Sequence, residues 1–394
     1  MIPQSKTFRV TGITALLLLP LLLQAGGTHW VRSADTCLLY LMLALGMNIV
    51  VGYAGLLDLG YVAFYAIGAY LFALLNSPHL SENFAVIAAI FPAGLHTPWW
   101  LTIPLAALLA AFFGMLLGAP TLRLRGDYLA IVTLGFGEIV RILINNMGGT
   151  PINLTNGAQG VGPIDSMSLM GLNLGQPLVV GELHLAPVTL YYYLFLALTL
   201  TAVVVCHRLE RSRIGRAWKA IRDDEVAAEA MGIDTRHLKL LAFGIGASFG
   251  GVAGAMFAAF QGFVSPEAFT LQESTFIVAM VVFGGLGHIP GVVLGAMLLS
   301  TLPEALRYVA GPLQAMTDGR LDAGMLRPLI IALAMISMML LRPRGLWPAP
   351  SGDGQSPPQG RVWVSRRGQV HDAQPASAPS AEAPVNTGSG MRQP

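Results

Sequence analysis

The stretch RLERSRIGRAWKAIRDDEVAAEAMGIDTRHLK, Arg208 to Lys239, decides how this chain is read. It is the longest charged run in an otherwise apolar sequence and lies between two hydrophobic segments, each long enough to cross a bilayer. A run so placed must face water. It carries Arg208, Arg211, Arg213, Arg216, Lys219, Arg222, Arg236 and Lys239. Membrane proteins keep such charge on the cytoplasmic side, so the loop is expected inside the cell. Within it, Asp223 or Asp224 can cap a helix, Glu225 and Glu229 suit its early turns, and Gly232 supplies a stop after Val226 to Met231. The pattern predicts a short helix across the inner membrane face, placed to dock on a partner. The plainer alternative is a solvated basic loop that only sets topology.

Of the 394 residues, 54% are apolar and 11% charged, against about 25% charged in soluble domains. The expected fold class is therefore all-α, a polytopic integral membrane helical bundle. Apolar runs near 10–25, 34–52, 59–76, 98–118, 128–147, 186–206, 238–260, 274–287, 290–306 and 328–341 give about ten transmembrane segments. With Lys6 and Arg9 inside, alternation also puts Arg123 and Arg125, the 208–239 loop, and Arg342 and Arg344 inside, so both termini are expected in the cytoplasm. Residues 1–348 are expected to form the transmembrane domain, with 208–239 as its cytoplasmic loop. Residues 349–394, rich in Pro, Ser, Gly, Ala and Gln, lack the apolar content for a core and are expected to be a disordered cytoplasmic tail. The run after Arg9 has the look of a signal peptide. No clear small-residue cleavage site follows, and retention as a first span is expected.

Two pairs of segments, 34–52 with 59–76 and 274–287 with 290–306, are glycine-rich and could be full crossings or re-entrant hairpins. In NIVVGYAGLLDLGYVAFYAIGAY, Asn48 to Tyr70, the residues Asn48, Gly52, Tyr53, Gly55 and Asp58 are candidates for a translocation path, since broken helix at membrane depth needs cover from protein or a water-filled route. In the other reading the glycines only permit close helix packing, and Asp58 caps the next helix. VVFGGL at 281–286 faintly echoes VVGYAGL at 50–56, as if each half held one broken pair. Glu138 and Arg141 sit three residues apart on one helical face. Glu138 lies ~16 Å along its helix from Asp127. The two charges either line a polar path or form an ion pair that fixes the helix. Glycine, asparagine, threonine and proline dominate 148–187, which reads as an external cap or docking rim without sustained periodicity.

No Walker A loop, nucleophile elbow, HExxH or Cys/His cluster is present. No catalytic residue, metal or cofactor is expected, and ATP hydrolysis would have to come from elsewhere. Cys37 and Cys206 read as packing residues, and the net charge of +2 gives no sign of nucleic acid. An ion-coupled secondary transporter would need several intramembrane carboxylates or histidines. Glu138 is the one acid well inside a span, with Arg141 to neutralise it.

The blocks GYAGLLDLGYVAFYAIGAY, TLRLRGDYLAIVTLGFGEIVRILINN, GRAWKAIRDDEVAAEAMGID, LLAFGIGASFGGVAGAMFAAFQGFVSPEAF, VVFGGLGHIPGVVLGA and LRPRGLWP follow one another in order. Together they resemble the M-type (LivM-like) permease subunits of branched-chain amino acid ABC importers. The resemblance implies a multi-pass protein of the bacterial inner membrane that moves leucine, isoleucine or valine inward. It implies a cytoplasmic coupling helix at Glu225 to Ile233, including Ala227, Ala228, Glu229, Ala230 and Gly232. It also implies partners: a second, H-type permease, two ATP-binding subunits and a periplasmic amino-acid-binding protein. Permeases for urea or other amides share much of this pattern and are the alternative substrate class. His288, where a small or polar residue such as Ser is expected, and the long tail depart from the pattern.

Overall fold

The computed structural model describes residues 6–25, 27–92, 94–121, 124, 126–149, 153–169, 172–180 and 183–316, with 329, 332–333, 336–337, 340–342 and 345–347 beyond them. The basic residues Arg123, Arg125 and Arg344 and the tail at 349–394 lie outside the described residues.

Nearly everything described is helix. Helices α1 (Lys6–Ala25) and α2 (Thr28–Met47) come first, and α2 runs on into a π turn at Asn48–Tyr53. Then follow α3 (Val62–Leu75), the short α4 (His79–Asn83) and α5 (Ala85–Ile90), α6 (Trp99–Thr121) and α7 (Asp127–Asn146). After α8 (Pro187–Arg211) come α9 (Arg213–Asp223), α10 (Glu225–Ala230), α11 (Thr235–Gln261), α12 (Leu271–Gly284) and α13 (Ile289–Met316). Among the described residues, five helical stretches are long and apolar enough to cross a membrane: Thr28–Tyr53, Trp99–Thr121, Pro187–Arg211, Thr235–Gln261 and Pro266–Gly284. Val62–Leu75 and Ile289–Ala305 are shorter apolar helices.

Two features go beyond the sequence reading. The segment between α7 and α8 is not free of regular structure: it holds two antiparallel hairpins, β1 (Ser168–Leu169) with β2 (Leu172–Asn173), and β3 (Leu178–Val180) with β4 (Leu183–Leu185). Strands this short carry no readable alternation, yet they close backbone hydrogen bonds that would otherwise go unpaired. The charged loop holds two helices rather than one. Ser212 caps α9 by accepting from the Gly215 N–H at 3.1 Å, and Trp218 and Ile221 are buried on one side of that helix.

Helix α11 is the axis of the bundle. Its glycines face neighbouring backbones: a Cβ on Gly254 would meet Ala69 N at 2.6 Å and one on Gly251 would meet the Ala110 Cβ at 2.7 Å. Hydrocarbon gives helices no hydrophobic drive to associate, so close backbone approach through small residues must supply the packing. These glycines draw α3 and α6 onto α11. Cys37 and Cys206 are buried and free, in keeping with a packing role.

The chain has two polar ends. At one, Arg222 of α9 meets Gly52, and Trp347 N–H donates to the Gly284 carbonyl. At the other, Arg32 donates to Gln261 at 2.7 Å, His29 pairs with Glu304, and Thr155 Oγ1 donates to the Ile144 carbonyl. His288 is absorbed at the first end, where its Nδ1 lies 3.0 Å from the Trp347 carbonyl.

Candidate functional site

A π turn ends α2 because one extra residue is inserted into the helical ladder there. Such turns leave carbonyls to be satisfied from outside and recur at functional positions. Asn48 to Tyr53 are all buried. The Asn48 Oδ1 accepts from the Gly287 N–H at 2.9 Å, across 239 positions of sequence. A Cβ on Gly52 would stand 2.7 Å from that same nitrogen, so only glycine lets the two chain segments meet. The Arg222 guanidinium of α9 donates to the Gly52 carbonyl. Gly55, at φ +71°, leaves room for the Arg222 side chain: an added Cβ would meet Arg222 Cγ at 2.6 Å. Tyr53 is buried, and its ring centroid lies 5.8 Å from the Lys219 ammonium. The two glycine-rich breaks therefore touch each other directly, and α9 is clamped onto the contact by Arg222 and Lys219.

Asp58 is buried in the link between the π turn and α3. One carboxylate oxygen accepts from the Gly60 N–H at 2.9 Å, and the next donor, Leu59 N–H, bonds to Thr133 Oγ1 at 3.0 Å. The other oxygen has no hydrogen-bond partner among the described residues. Asp58 therefore closes a turn at Gly60 and does not cap the next helix as the sequence reading allowed: α3 starts after Tyr61, with no side-chain cap bond.

Beyond this junction the charged loop continues as α10. Asp224, rather than Asp223, is the cap: its Oδ1 accepts from Val226 N–H at 2.9 Å and Ala227 N–H at 3.0 Å. Gly232 ends the helix at φ +83°, the left-handed conformation that favours glycine. Glu225 ties α10 to α11 by an ion pair with the buried Lys239 at 2.6 Å. Ala228 is buried against the chain's own surface, whereas Ala227, Glu229 and Ala230 face out. They stand beside Val226, 64% exposed, and Met231, 83% exposed. Val226, Ala227, Ala230 and Met231 thus form an uncovered apolar strip beside small residues. Asp234 then caps α11 by accepting from the His237 N–H at 3.1 Å. That bond, helped by the His237 ring, holds its carboxyl below the usual carboxylate range.

Glu138 and Arg141 do not join the junction. Arg141 Nε lies 3.1 Å from each Glu138 carboxylate oxygen, so the ion pair forms as their spacing requires. Both side chains remain part-exposed on the outward side of α7. Among the described residues no group of three or more His, Cys, Asp or Glu could hold a metal.

Residues 31–341 match the family described as branched-chain amino acid transport system / permease component. The chain is 41% identical over 357 residues to the high-affinity branched-chain amino acid transport system permease protein LivM of Escherichia coli (strain K12), covering 88% of this chain and 75% of that protein. It is 29% identical over 274 residues to LivH of the same organism, covering 68% of this chain and 81% of LivH. A probable LivM of Methanocaldococcus jannaschii is 26% identical over 257 residues, 62% of this chain and 68% of that protein. No solved structure matches. A family match over most of the length, with apolar helices joined by a charged, doubly capped loop, makes this a multi-pass membrane protein belonging to the branched-chain amino acid transport system permease family.

Proposed function

We propose that the chain is the membrane-spanning M-type subunit of an ATP-driven importer that carries leucine, isoleucine and valine into the cytoplasm. The observation that carries this reading is the 41% identity to LivM over 88% of the chain. In it the chain crosses the bacterial inner membrane about ten times with both termini inside, and the 208–239 loop faces the cytoplasm. The chain catalyses nothing itself. One of two ATPase subunits seats on α10 through the exposed Val226, Ala227, Ala230 and Met231, an H-type permease completes the membrane part, and a periplasmic binding protein delivers substrate. Movement of α10 reaches the membrane through α9, whose Arg222 holds the Gly52 carbonyl. Asn48, Gly52, Tyr53, Gly55 and Asp58 then act as the hinge at the inner mouth of the path rather than as its wall.

Cells lacking other uptake routes should need this chain, with its partners, to take up leucine at low concentration. Ala227→Arg or Ala230→Arg should reach the membrane in normal amount and abolish uptake. A reporter fused after Pro348 should be cytoplasmic and one near Asn156 external. Uptake of urea in place of leucine, or full transport by both arginine variants, would overturn the reading.

A further inference from the structure

Helix α7 buries one side and leaves the other open. Leu129, Ala130, Thr133, Gly137, Val140 and Ile144 are buried against the chain, and the Cβ position of Gly137 comes within 3.2 Å of the Gly60 Cα. The open side is broad: the stripe Tyr128, Ile131, Gly135, Glu138, Ile142 and Asn145 runs along it, with the exposed Val132, Ile139 and Leu143 beside it. Gly135 in the middle of the stripe has open space where a side chain would stand, with nothing within 4 Å. Lipid does not need that notch, but a neighbouring helix does.

The charges make the same point more strongly. A carboxylate or guanidinium near the bilayer centre costs about 2.5–3.5 kcal/mol, and such groups face protein or water rather than acyl chains. Arg141 is five residues from the end of α7 and could extend toward the headgroups, yet its guanidinium turns back onto Glu138. The outward side of α6 shows what a lipid face looks like in the same molecule. There the exposed residues Leu101, Leu105, Leu108, Phe112, Met115 and Leu116 are all apolar.

We propose that the α7 stripe centred on Gly135 and Glu138 is the seam on which the H-type permease packs. The proposal rests on the importer reading above. Relatives of this family come in two kinds, and this chain aligns with both, so a partner of the same fold can lay a helix along α7. The partner helix should bring a basic or hydrogen-bond-donating group opposite Glu138 and a side chain that fills the Gly135 notch.

The test uses the full complex, with the chain co-expressed with the H-type permease and both ATPases. Photo-crosslinking p-benzoyl-phenylalanine is placed singly at Ile131 and Ile142, with Leu108 and Phe112 of α6 as controls. Expected are adducts of this chain with the H-type permease from the α7 positions and none from the α6 positions. The α7 surface is a lipid face if no protein adduct forms there while the complex co-purifies and transports leucine. It is a self-association face if the adducts join two copies of this chain. Either result overturns the seam and leaves the importer reading intact. Failure of the H-type permease to co-purify at all would overturn both. As a second readout, Glu138→Gln with Arg141→Gln should leave insertion intact and lower the yield of co-purified H-type permease several-fold.

Discussion

Helices α11 and α7, 27 and 20 residues long, both lie among apolar segments, yet the chain treats them in opposite ways. Helix α11 is enclosed on almost every side, with Gly244, Gly246, Gly250, Gly251 and Gly254 each set against an atom of α2, α3 or α6. Helix α7 is enclosed on one side, and its other side carries a glycine facing open space and an ion pair. Apolar content places only α11 among the stretches able to cross a membrane, but it does not account for the difference in enclosure. What separates them is where their glycines lie and what those glycines meet.

The largest effect should come from filling the enclosed helix. Gly254→Leu would push a side chain into the Tyr65 carbonyl and the Ala69 nitrogen, both backbone atoms with no rotamer to yield. Overpacking of this kind costs about 1–3 kcal/mol where side chains can shift, and more where they do not. Gly254→Leu should fail to give a monodisperse peak in detergent size-exclusion chromatography, while Gly135→Leu should give a normal one as an isolated subunit. Equal behaviour of the two would erase the contrast between the helices.

The ion pair sharpens the contrast at the next level. Arg141→Ala leaves a lone carboxylate on the open side of α7, whereas Arg141→Ala combined with Glu138→Gln removes both charges. The single change should lower membrane accumulation more than the double one, because an unpaired charge loses its compensation while a deleted pair does not. Equal accumulation of the two would mean that Arg141 does not compensate the Glu138 charge. A smaller effect is expected at the junction. Arg222→Ala removes a charge-assisted hydrogen bond to the Gly52 carbonyl, worth about 1.5 kcal/mol for a group that also meets solvent. Insertion should be unchanged. The number of ATP molecules hydrolysed per leucine imported should rise.

How much of this was legible in the sequence follows from the range of each interaction. The α10 cap and stop were legible, since Asp224, Val226 and Gly232 are local. Helix α9 was missed, although Ser212 as a cap and Ile214, Trp218 and Ile221 at helical spacing carried its signal. The Glu138–Arg141 pair followed from spacing, but its outward direction did not, since α7 is apolar on both sides of the pair. The Asn48 contact could not be read at all. Its partner Gly287 is 239 residues away, and the faint likeness of 50–56 to 281–286 pointed only to two similar breaks, not to their meeting.

The smallest expected effect tests whether α10 belongs with α7 as a surface finished by another protein. A six-residue helix in water is far below the length at which propensity alone sustains it. It depends on its two ends and on the Ala228 contact beneath it. Asp224→Ala removes the acceptor for two N–H groups, a loss of about 1 kcal/mol at an N-cap, and Asp224→Asn restores it. At the other end Gly232 has no atom near its Cβ position, so substitution there meets backbone strain and no clash. Gly232→Asn, which tolerates the left-handed region, should therefore retain transport, and Gly232→Val should lose part of it. If α10 is a docking element, Asp224→Ala and Gly232→Val should both reduce the retained ATPase while leaving the amount of chain in the membrane unchanged. If the loop only sets topology, all four variants should transport alike, because net charge at 208–239 barely changes and orientation depends on its lysines and arginines.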